Sequence, residues 1–406
     1  MTSIGANAFA GCSDLSSITF MGNAPTMGDD VFGYPLPSGL ITYYQRGAKG
    51  FTTPTWQGVI CEVWVDPKWQ YTVANDEVTI TGYTGAIANP VIPDTIGGLP
   101  VTTIGNRAFF ERQDITGTLT LTGDLVIPEG VTSIGGGAFR GCSGFTGDLV
   151  IPEGVTSILD GAFASCSGFT GSLVFPEGVT SIEAQAFFAC TGLTGSLVFP
   201  EGVTSIGRSA FAGCTGLTGS LVLPEGLTAI EMGIFEGCSG FTGNLMIPEG
   251  VTSIGSYAFC FGSGFTGSLV LPSTLETMGE NVFYDCSGLT GNVDIPMSVV
   301  SMAGDVFSSC TGLASVTFKG NAPELGVTGP FAWMADNFKV YFHQGKEGFD
   351  ASEWQGIDLE MIPNRAPRFR IIGNNKTIKA GETITFEVIA DDEDAGDVLQ
   401  YSATKP

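Results

Sequence analysis

The apolar positions of the chain recur with a single period. Pro128, Pro152, Pro176, Pro200, Pro224, Pro248, Pro272 and Pro296 stand 24 residues apart, and Phe139, Phe163, Phe187, Phe211, Phe235, Phe259, Phe283 and Phe307 keep the same step. Ile134, Ile158, Ile182, Ile206, Ile230 and Ile254 do so too, and Met278 and Met302 continue their slot. One unit, residues 125–148, reads LVIPEGVTSIGGGAFRGCSGFTGD. In it Leu125, Val126 and Ile127 alternate faces, Leu and Ile inward and Val outward, as in a short strand. Pro128 ends the pairing and Gly130 permits a turn. Residues 131–134 form a second short extended piece. Ala138 and Phe139, with Cys142 three residues beyond Phe139, suit one helical or 3₁₀ turn that plugs the ring into the interior. A unit this short cannot bury its apolar face alone, so copies stack with their strands parallel and about 4.8 Å apart. The expected fold is a β-rich solenoid with short parallel strands and a single helical or 3₁₀ turn per repeat.

The string IPEGVTSIGxxAFxxC, tandemly repeated, resembles the BspA-type leucine-rich repeat. The likeness covers most of residues 68–362 and part of 1–62. That family is abundant on bacterial and some protist cell surfaces, so the resemblance implies an extracellular or surface location and attachment to proteins, cells or polymers. The family's usual spacing is about 23. Here an extra residue lies between Phe145 and Leu149, which enlarges one loop per coil.

Outside the period, two segments match each other. Phe9, Cys12, Gly47, Phe51 and Trp56 correspond to Phe307, Cys310, Gly345, Phe349 and Trp354 at a constant offset of 298. The end of a solenoid exposes an apolar layer that a dedicated cap must cover, so both segments read as C-terminal caps. Residues 1–62 are then the tail and cap of a first array, beginning in mid-repeat. Residues 63–100 are the opening cap of a second, with a hairpin expected over 71–83 around an Asn-Asp turn. Residues 101–318 are the array proper and 319–362 its cap. In 363–406, the alternation over 380–390 resembles the opening of a bacterial immunoglobulin-like or cadherin-like module, so a truncated β-sandwich is expected there.

Several columns of residues are candidates for chemistry. Cys142, Cys166, Cys190, Cys214, Cys238, Cys286 and Cys310 share one slot, with Gly262 at the missing rung and Cys260 displaced. They read as a buried ladder of small thiols. A metal site is not expected, because His343 is the single histidine and zinc wants clustered ligands. The outward residues Val126, Val150, Val174, Val198, Val222, Met246 and Val270 line one face. They are flanked by Asp124, Asp148, Ser172, Ser196 and Ser220, and by the carboxylates of Glu153, Glu177 and Glu201. Exposed β-branched stripes of this length mark an interaction surface, so these residues are the candidate ligand-binding set. Glu129, Glu225 and Glu249 extend the carboxylate column, which Ser273 and Met297 interrupt. Asp391, Asp392, Glu393, Asp394 and Asp397 have the oxygen density of a calcium loop without EF-hand spacing, so calcium enters only as a possible partner of the C-terminal module.

Composition narrows the function classes. With 41 acidic and 16 basic residues the net charge is −25, which excludes nucleic acid as a partner. Hydrophobic residues at 43% and aromatics at 11% support an ordered core. No apolar run is long enough for a transmembrane helix. With one His, no Gly-x-Ser-x-Gly elbow and no phosphate-binding loop, catalysis and a cofactor are not expected. The sequence thus points to adhesion or ligand binding, to an extracellular protein or polysaccharide, through the strand face. The alternatives are a structural spacer projecting other domains, or the non-catalytic part of a larger extracellular enzyme.

Overall fold

The computed structural model describes residues 1–37, 39–44, 48–52, 55–63, 68–84, 92–110, 123–349, 359–363, 368–372 and 387–391. The chain divides into two compact units, Met1–Gly195 and Ser196–Pro406. Each is a β-solenoid of parallel strands, and within the regular repeats of each the register equals the sequence period. In the first unit Ser157–Ile158 pairs with Ser181–Ile182, Ser157 opposite Ser181 and Ile158 opposite Ile182. In the second, Ala229–Ile230, Ser253–Ile254, Thr277–Met278, Ser301–Met302 and Glu324–Leu325 form one parallel sheet in that order. Along the repeats a residue therefore stacks on its own copy, until the last rung, where Glu324 lies opposite Ser301, one short of the period. The Ile or Met of each pair is buried, while its Ser, Ala or Thr neighbour is half-buried at most of these rungs.

The expected helical or 3₁₀ turn is not formed, and no helix occurs among the described residues. The N–H groups of Gly137, Phe139 and Gly141 donate to Asp160, Ala162 and Ala164 of the next coil at 2.8, 2.8 and 2.7 Å. Those between them, on Ala138, Arg140 and Cys142, turn back three residues at 3.1, 3.2 and 3.0 Å. A helix keeps every interior N–H within itself. The cause is local: Gly137 and Gly141 lie in the left-handed region at φ +61° and +79°, as Gly233 and Gly237 do at +62° and +73°. Two such residues four apart break any helix. The freed N–H groups then become a second inter-coil ladder.

Inside this frame the phenylalanines stack. Phe109, Phe139, Phe163 and Phe187 follow one another at 5.0, 5.3 and 5.6 Å in the first unit. Phe211, Phe235, Phe259, Phe283 and Phe307 do so at 5.6, 5.8, 5.5 and 5.3 Å in the second. Beside each ring column runs the thiol column. Cys166 and Cys190 donate S–H to the carbonyls of Phe139 and Phe163, both at 3.0 Å. Cys238 and Cys286 do the same to Phe211 and Phe259 at 3.1 Å. The thiols are thus weak donors to a buried carbonyl as well as core filling.

Burial raises the Cys166, Cys238 and Cys286 thiols well above their usual 9.0, with neighbouring thiols adding to the effect, and takes Cys310 to about 12. Because the folded value lies above the unfolded one, this contribution to stability is complete below pH 9. It falls away as pH rises toward 12. Native protein at pH 8 should therefore give one fast thiol with an aromatic disulfide reagent. That thiol is Cys12, the exposed one. The remaining nine of the 10 cysteines should wait for denaturant or for alkaline unfolding. Fast reaction of most thiols at pH 8 would refute the buried ladder.

The segments related by the offset of 298 carry the same sheet. Ser17–Phe20, Ile41–Tyr44 and Val59–Val63 run parallel, with Ser17 opposite Ile41 and Thr42 opposite Cys61. Leu313–Phe318, Lys339–His343 and Leu359–Ile362 repeat this with Ser315 opposite Lys339 and Val340 opposite Leu359. Even the loop contacts recur. Asn23 accepts from Lys49 N–H at 2.8 Å and Asn321 from Glu347 N–H at 3.1 Å, while Phe20–Phe51 and Phe318–Phe349 both stand 5.4 Å apart. Trp354 lies outside the described residues.

The strands Trp69–Ala74 and Glu77–Tyr83 form an antiparallel hairpin. Its turn residues Asn75 and Asp76, at φ +52° and +59°, match the right-handed twist of the strands. Glu77–Tyr83 then pairs parallel with Leu99–Ile104, which leads into the repeats. Near the C-terminus, Arg368–Ile372 and Glu387–Asp391 form one antiparallel pair. A single ribbon has no facing sheet, so the expected partial β-sandwich is not formed by the described residues. Residues 380–386 and 392–397 lie outside them.

Candidate functional site

The outward positions of the Leu-Val pairs are exposed in both units: Val126, Val150 and Val174 in the first, Val198, Val222, Met246 and Val270 in the second. They differ in how the backbone beneath them is held. Leu149–Val150 pairs with Leu173–Val174, and Leu245–Met246 with Leu269–Val270. Among the described residues, Leu125–Val126, Leu197–Val198 and Leu221–Val222 are unpaired. Val198 and Val222 are the most exposed of the column at 69% and 71%, against 45–60% for the paired Val150, Val174, Met246 and Val270.

In the repeats after Asp148 the residue just before each pair separates the paired rungs from the unpaired ones. Asp148 Oδ1 accepts the Ser172 N–H at 2.7 Å, and the strand bonds follow from Leu149 N–H to Ser172 O at 2.9 Å and Ile151 N–H to Val174 O at 3.0 Å. Asn244 repeats the arrangement with Ser268 N–H at 2.9 Å, and Leu245 and Ile247 then bond across at 2.9 and 3.0 Å. Asn292 accepts the Ser315 and Thr317 hydroxyls at 2.9 and 3.0 Å where Gly291–Ile295 pairs with Leu313–Phe318. Ser196 and Ser220 occupy the same slot with a side chain one atom too short to reach the next coil's N–H. The sequence places Asp148 among the ligand contacts, whereas the geometry gives it a clamp. Asp124 differs again, taking the Thr146 hydroxyl at 3.2 Å beside the short pair Gly123–Asp124 with Phe145–Thr146.

A groove of about 660 Å³ opens over the unclamped stretch in the second unit. Val198, Val222, Phe199, Pro200 and Pro224 form its apolar part, Ser196 and Ser220 border it, and Glu201 and Glu225 add two carboxylates. Phe199 is only half-buried and meets Phe211 edge-on at 5.6 Å, where Leu223 and Ile247 in the same slot are buried. The larger ring cannot sink as an aliphatic chain does, so it contributes to the floor. Sequence reasoning named Ser196, Val198, Glu201, Ser220 and Val222 but missed Phe199, Pro200, Pro224 and Glu225. Phe199-Pro200 stands out from the Ile-Pro or Leu-Pro of most repeats, but Phe175-Pro176 shares the change, so the residues alone do not single out this coil.

Glu153 and Glu177 are exposed in the first unit, each on the turn after its proline. Glu249 shows what such a carboxylate does when its successor is Ser: it accepts the Ser273 N–H and hydroxyl at 3.1 and 3.0 Å. Among the described residues no cluster of three His, Cys, Asp or Glu could hold a metal ion, and no helix is long and apolar enough to cross a membrane. The arrangement offers apolar area, hydroxyls and negative charge, which suits binding.

A family model described as the BspA type leucine-rich repeat region matches in 6 copies, over residues 1–37, 102–242 and 242–328. No curated protein matches the chain significantly. Among solved structures it is similar to a leucine-rich repeat protein from Bacteroides ovatus ATCC 8483, with 25% identity over 74% of this chain and 76% of that one, at a TM-score of 0.57. It is also similar to a leucine-rich cell surface protein from Faecalibacterium prausnitzii A2-165, at 22% identity, 75% and 95% coverage and a TM-score of 0.39. A third is the pneumococcal vaccine antigen PcpA, at 17% identity, 74% and 98% coverage and a TM-score of 0.40. Of these three, the first bears on the architecture.

Proposed function

The chain belongs to the BspA-type leucine-rich repeat family, and from that premise we propose that it is a non-catalytic extracellular or cell-surface protein that binds a protein or polysaccharide through its Leu-Val face. The surface location is taken from the family. The binding role rests on one observation: the valine face is loosened at Ser196 and Ser220, and a groove with apolar walls and a carboxylate rim lies there. Covering Val198 and Val222 would contribute on the order of 2 kcal/mol in apolar burial. The rest of the affinity then falls to hydrogen bonds at the two serines and glutamates. The uniformity of Val126, Val150, Val174, Val198 and Val222 favours the rival reading, a spacer that projects other domains.

Biolayer interferometry of the full chain against matrix proteins and polysaccharides separates the two. Saturable binding to one of them is expected, weakened at least tenfold by Val198→Glu with Val222→Glu. Ser196→Asn with Ser220→Asn should weaken it similarly, while slightly raising the unfolding temperature. Each amide would complete a clamp worth about 0.5–1.5 kcal/mol and draw the strands together. Silence across the panel from folded protein would leave the spacer.

A further inference from the structure

A second exposed feature lies on the turn edge of the second unit, away from the Leu-Val positions in the repeat. The left-handed slots of the turn are filled mostly by glycine or short polar residues, among them Gly233, Gly237, Asn281, Asp285, Asp305 and Ser309. Tyr257, Phe261 and Trp333 break that rule, with φ at +63°, +61° and +54°, and Phe261 and Trp333 are the two most exposed of the three. A bulky side chain there is strained, and strain of this kind persists where function needs it. Core packing does not offset it, since Phe261 is 47% and Trp333 70% exposed. Instead the rings meet through Tyr284: Phe261 to Tyr284 at 5.7 Å and 84°, Tyr284 to Trp333 at 6.5 Å and 89°.

Two carboxylates stand beside this cluster. Asp285 follows Tyr284 in the chain. Glu236 and Asp285 both lie close enough to Cys260, the neighbour of Phe261, to help burial push its thiol up to about 12. Among the described residues neither carboxylate is paired with a cation; the ion pairs found are Lys319 with Asp294 and Lys339 with Glu360. Aromatic faces and unpaired carboxylates attract the same kind of ligand, a cation. The three rings touch in a chain and enclose no cage for a compact ammonium. Their open faces suit a flat ion that can stack on a ring and fork its N–H donors toward a carboxylate.

We infer that Phe261, Tyr284 and Trp333, together with Glu236 and Asp285, form a binding site for an arginine side chain presented by a partner protein. The site is separate from the groove at Val198 and stands whether or not that face binds anything.

The test uses the full chain, immobilised, with end-blocked tetra-arginine, tetra-lysine and tetra-citrulline peptides and a neutral oligosaccharide as probes. Tetra-arginine should bind saturably, more tightly than tetra-lysine, and tetra-citrulline should not bind. Phe261→Gly with Trp333→Gly should weaken tetra-arginine at least tenfold. Glycine takes a left-handed backbone without strain and fills this slot at Gly213 and Gly237, so the variant should unfold at an equal or higher temperature. Val198→Glu should change nothing, which keeps this result distinct from that of the strand face. An unchanged affinity in the double glycine variant, or equal binding of arginine and lysine, would reduce the effect to general acidity and overturn the site. Preference for the neutral oligosaccharide, lost in the same variant, would reassign the rings to sugar stacking. A lowered unfolding temperature would make them structural.

Discussion

Phe235→Ala is expected to destabilise the second unit by about 3–5 kcal/mol, the range for emptying a fully buried aromatic site. Phe235 is 1% exposed, stacked on Phe211 at 5.6 Å and on Phe259 at 5.8 Å, and touched edge-on by Phe241 at 5.9 Å. The upper half of that range applies, because the space cannot collapse. Collapse would require the coils on either side to approach, and their spacing is pinned by backbone bonds. Phe211 N–H donates to Ile234 O at 3.0 Å, Phe235 N–H to Ala258 O at 2.9 Å and Gly237 N–H to Cys260 O at 2.8 Å. The cavity therefore stays open, and the rings that packed against Phe235 face a void on that side. Urea denaturation followed by far-ultraviolet circular dichroism gives the measurement. The midpoint should drop sharply for Phe235→Ala and recover much of the loss in Phe235→Leu, which refills part of the volume. A midpoint within error of the parent would mean the ring column is not continuous through this coil.

Equal coil lengths also explain what could be read from the sequence and what could not. A spacing of 24 between identical residues becomes a register of 24 between paired strands, because stacked coils of equal length leave no other alignment. Leu149 lies opposite Leu173 for that reason. The offset of 298 likewise survives as a shared register in two sheets. The turn departs from expectation because Phe139 and Cys142 are three apart in a helical turn and also in a chain of reversed turns; the spacing is the same in both. What separates them is Gly137 and Gly141, four apart, and the Asn, Asp, Ser and Gly that fill most of those slots elsewhere. Such residues tolerate left-handed backbone and a helix has no use for them. The binding face was legible as a stripe of valines, but not where it loosens. That depends on whether a side chain ends in Oδ1 or Oγ, a reach of one atom at Asp148 or Asn244 against Ser196 or Ser220. Both letters look polar in a sequence; only the bond to the next coil's N–H tells them apart.

Gly264→Ala should rival the loss of a core ring. Its backbone is not left-handed, so conformational freedom is not the reason for glycine there. Space is the reason: a Cβ on Gly264 would lie 2.2 Å from Ser239 O and 2.3 Å from Phe241 O of the preceding coil. Gly240 faces Leu217 O at 2.2 Å and Gly288 faces Ser263 O at 2.4 Å, so the column recurs with the period. A flexible side chain in the way could rotate aside, but a carbonyl belongs to a backbone whose neighbours are bonded in turn. Thr242 N–H donates to Gly219 O at 2.8 Å and Gly267 N–H to Gly243 O at 3.0 Å, so moving Phe241 strains both of its flanks. The cost should exceed the ~1–3 kcal/mol of ordinary overpacking. For a unit of this size that lowers the unfolding temperature by on the order of 10 °C. Gly178→Ala is the control. Its added Cβ would meet nothing nearer than Glu153 O at 3.8 Å, and its φ is not positive. That change should be neutral or slightly stabilising, since alanine restricts the unfolded chain. Differential scanning calorimetry of the two variants decides the matter: equal tolerance would show that the coils are not in contact at this column, and the inter-coil spacing drawn from the Phe and Cys ladders would fall with it.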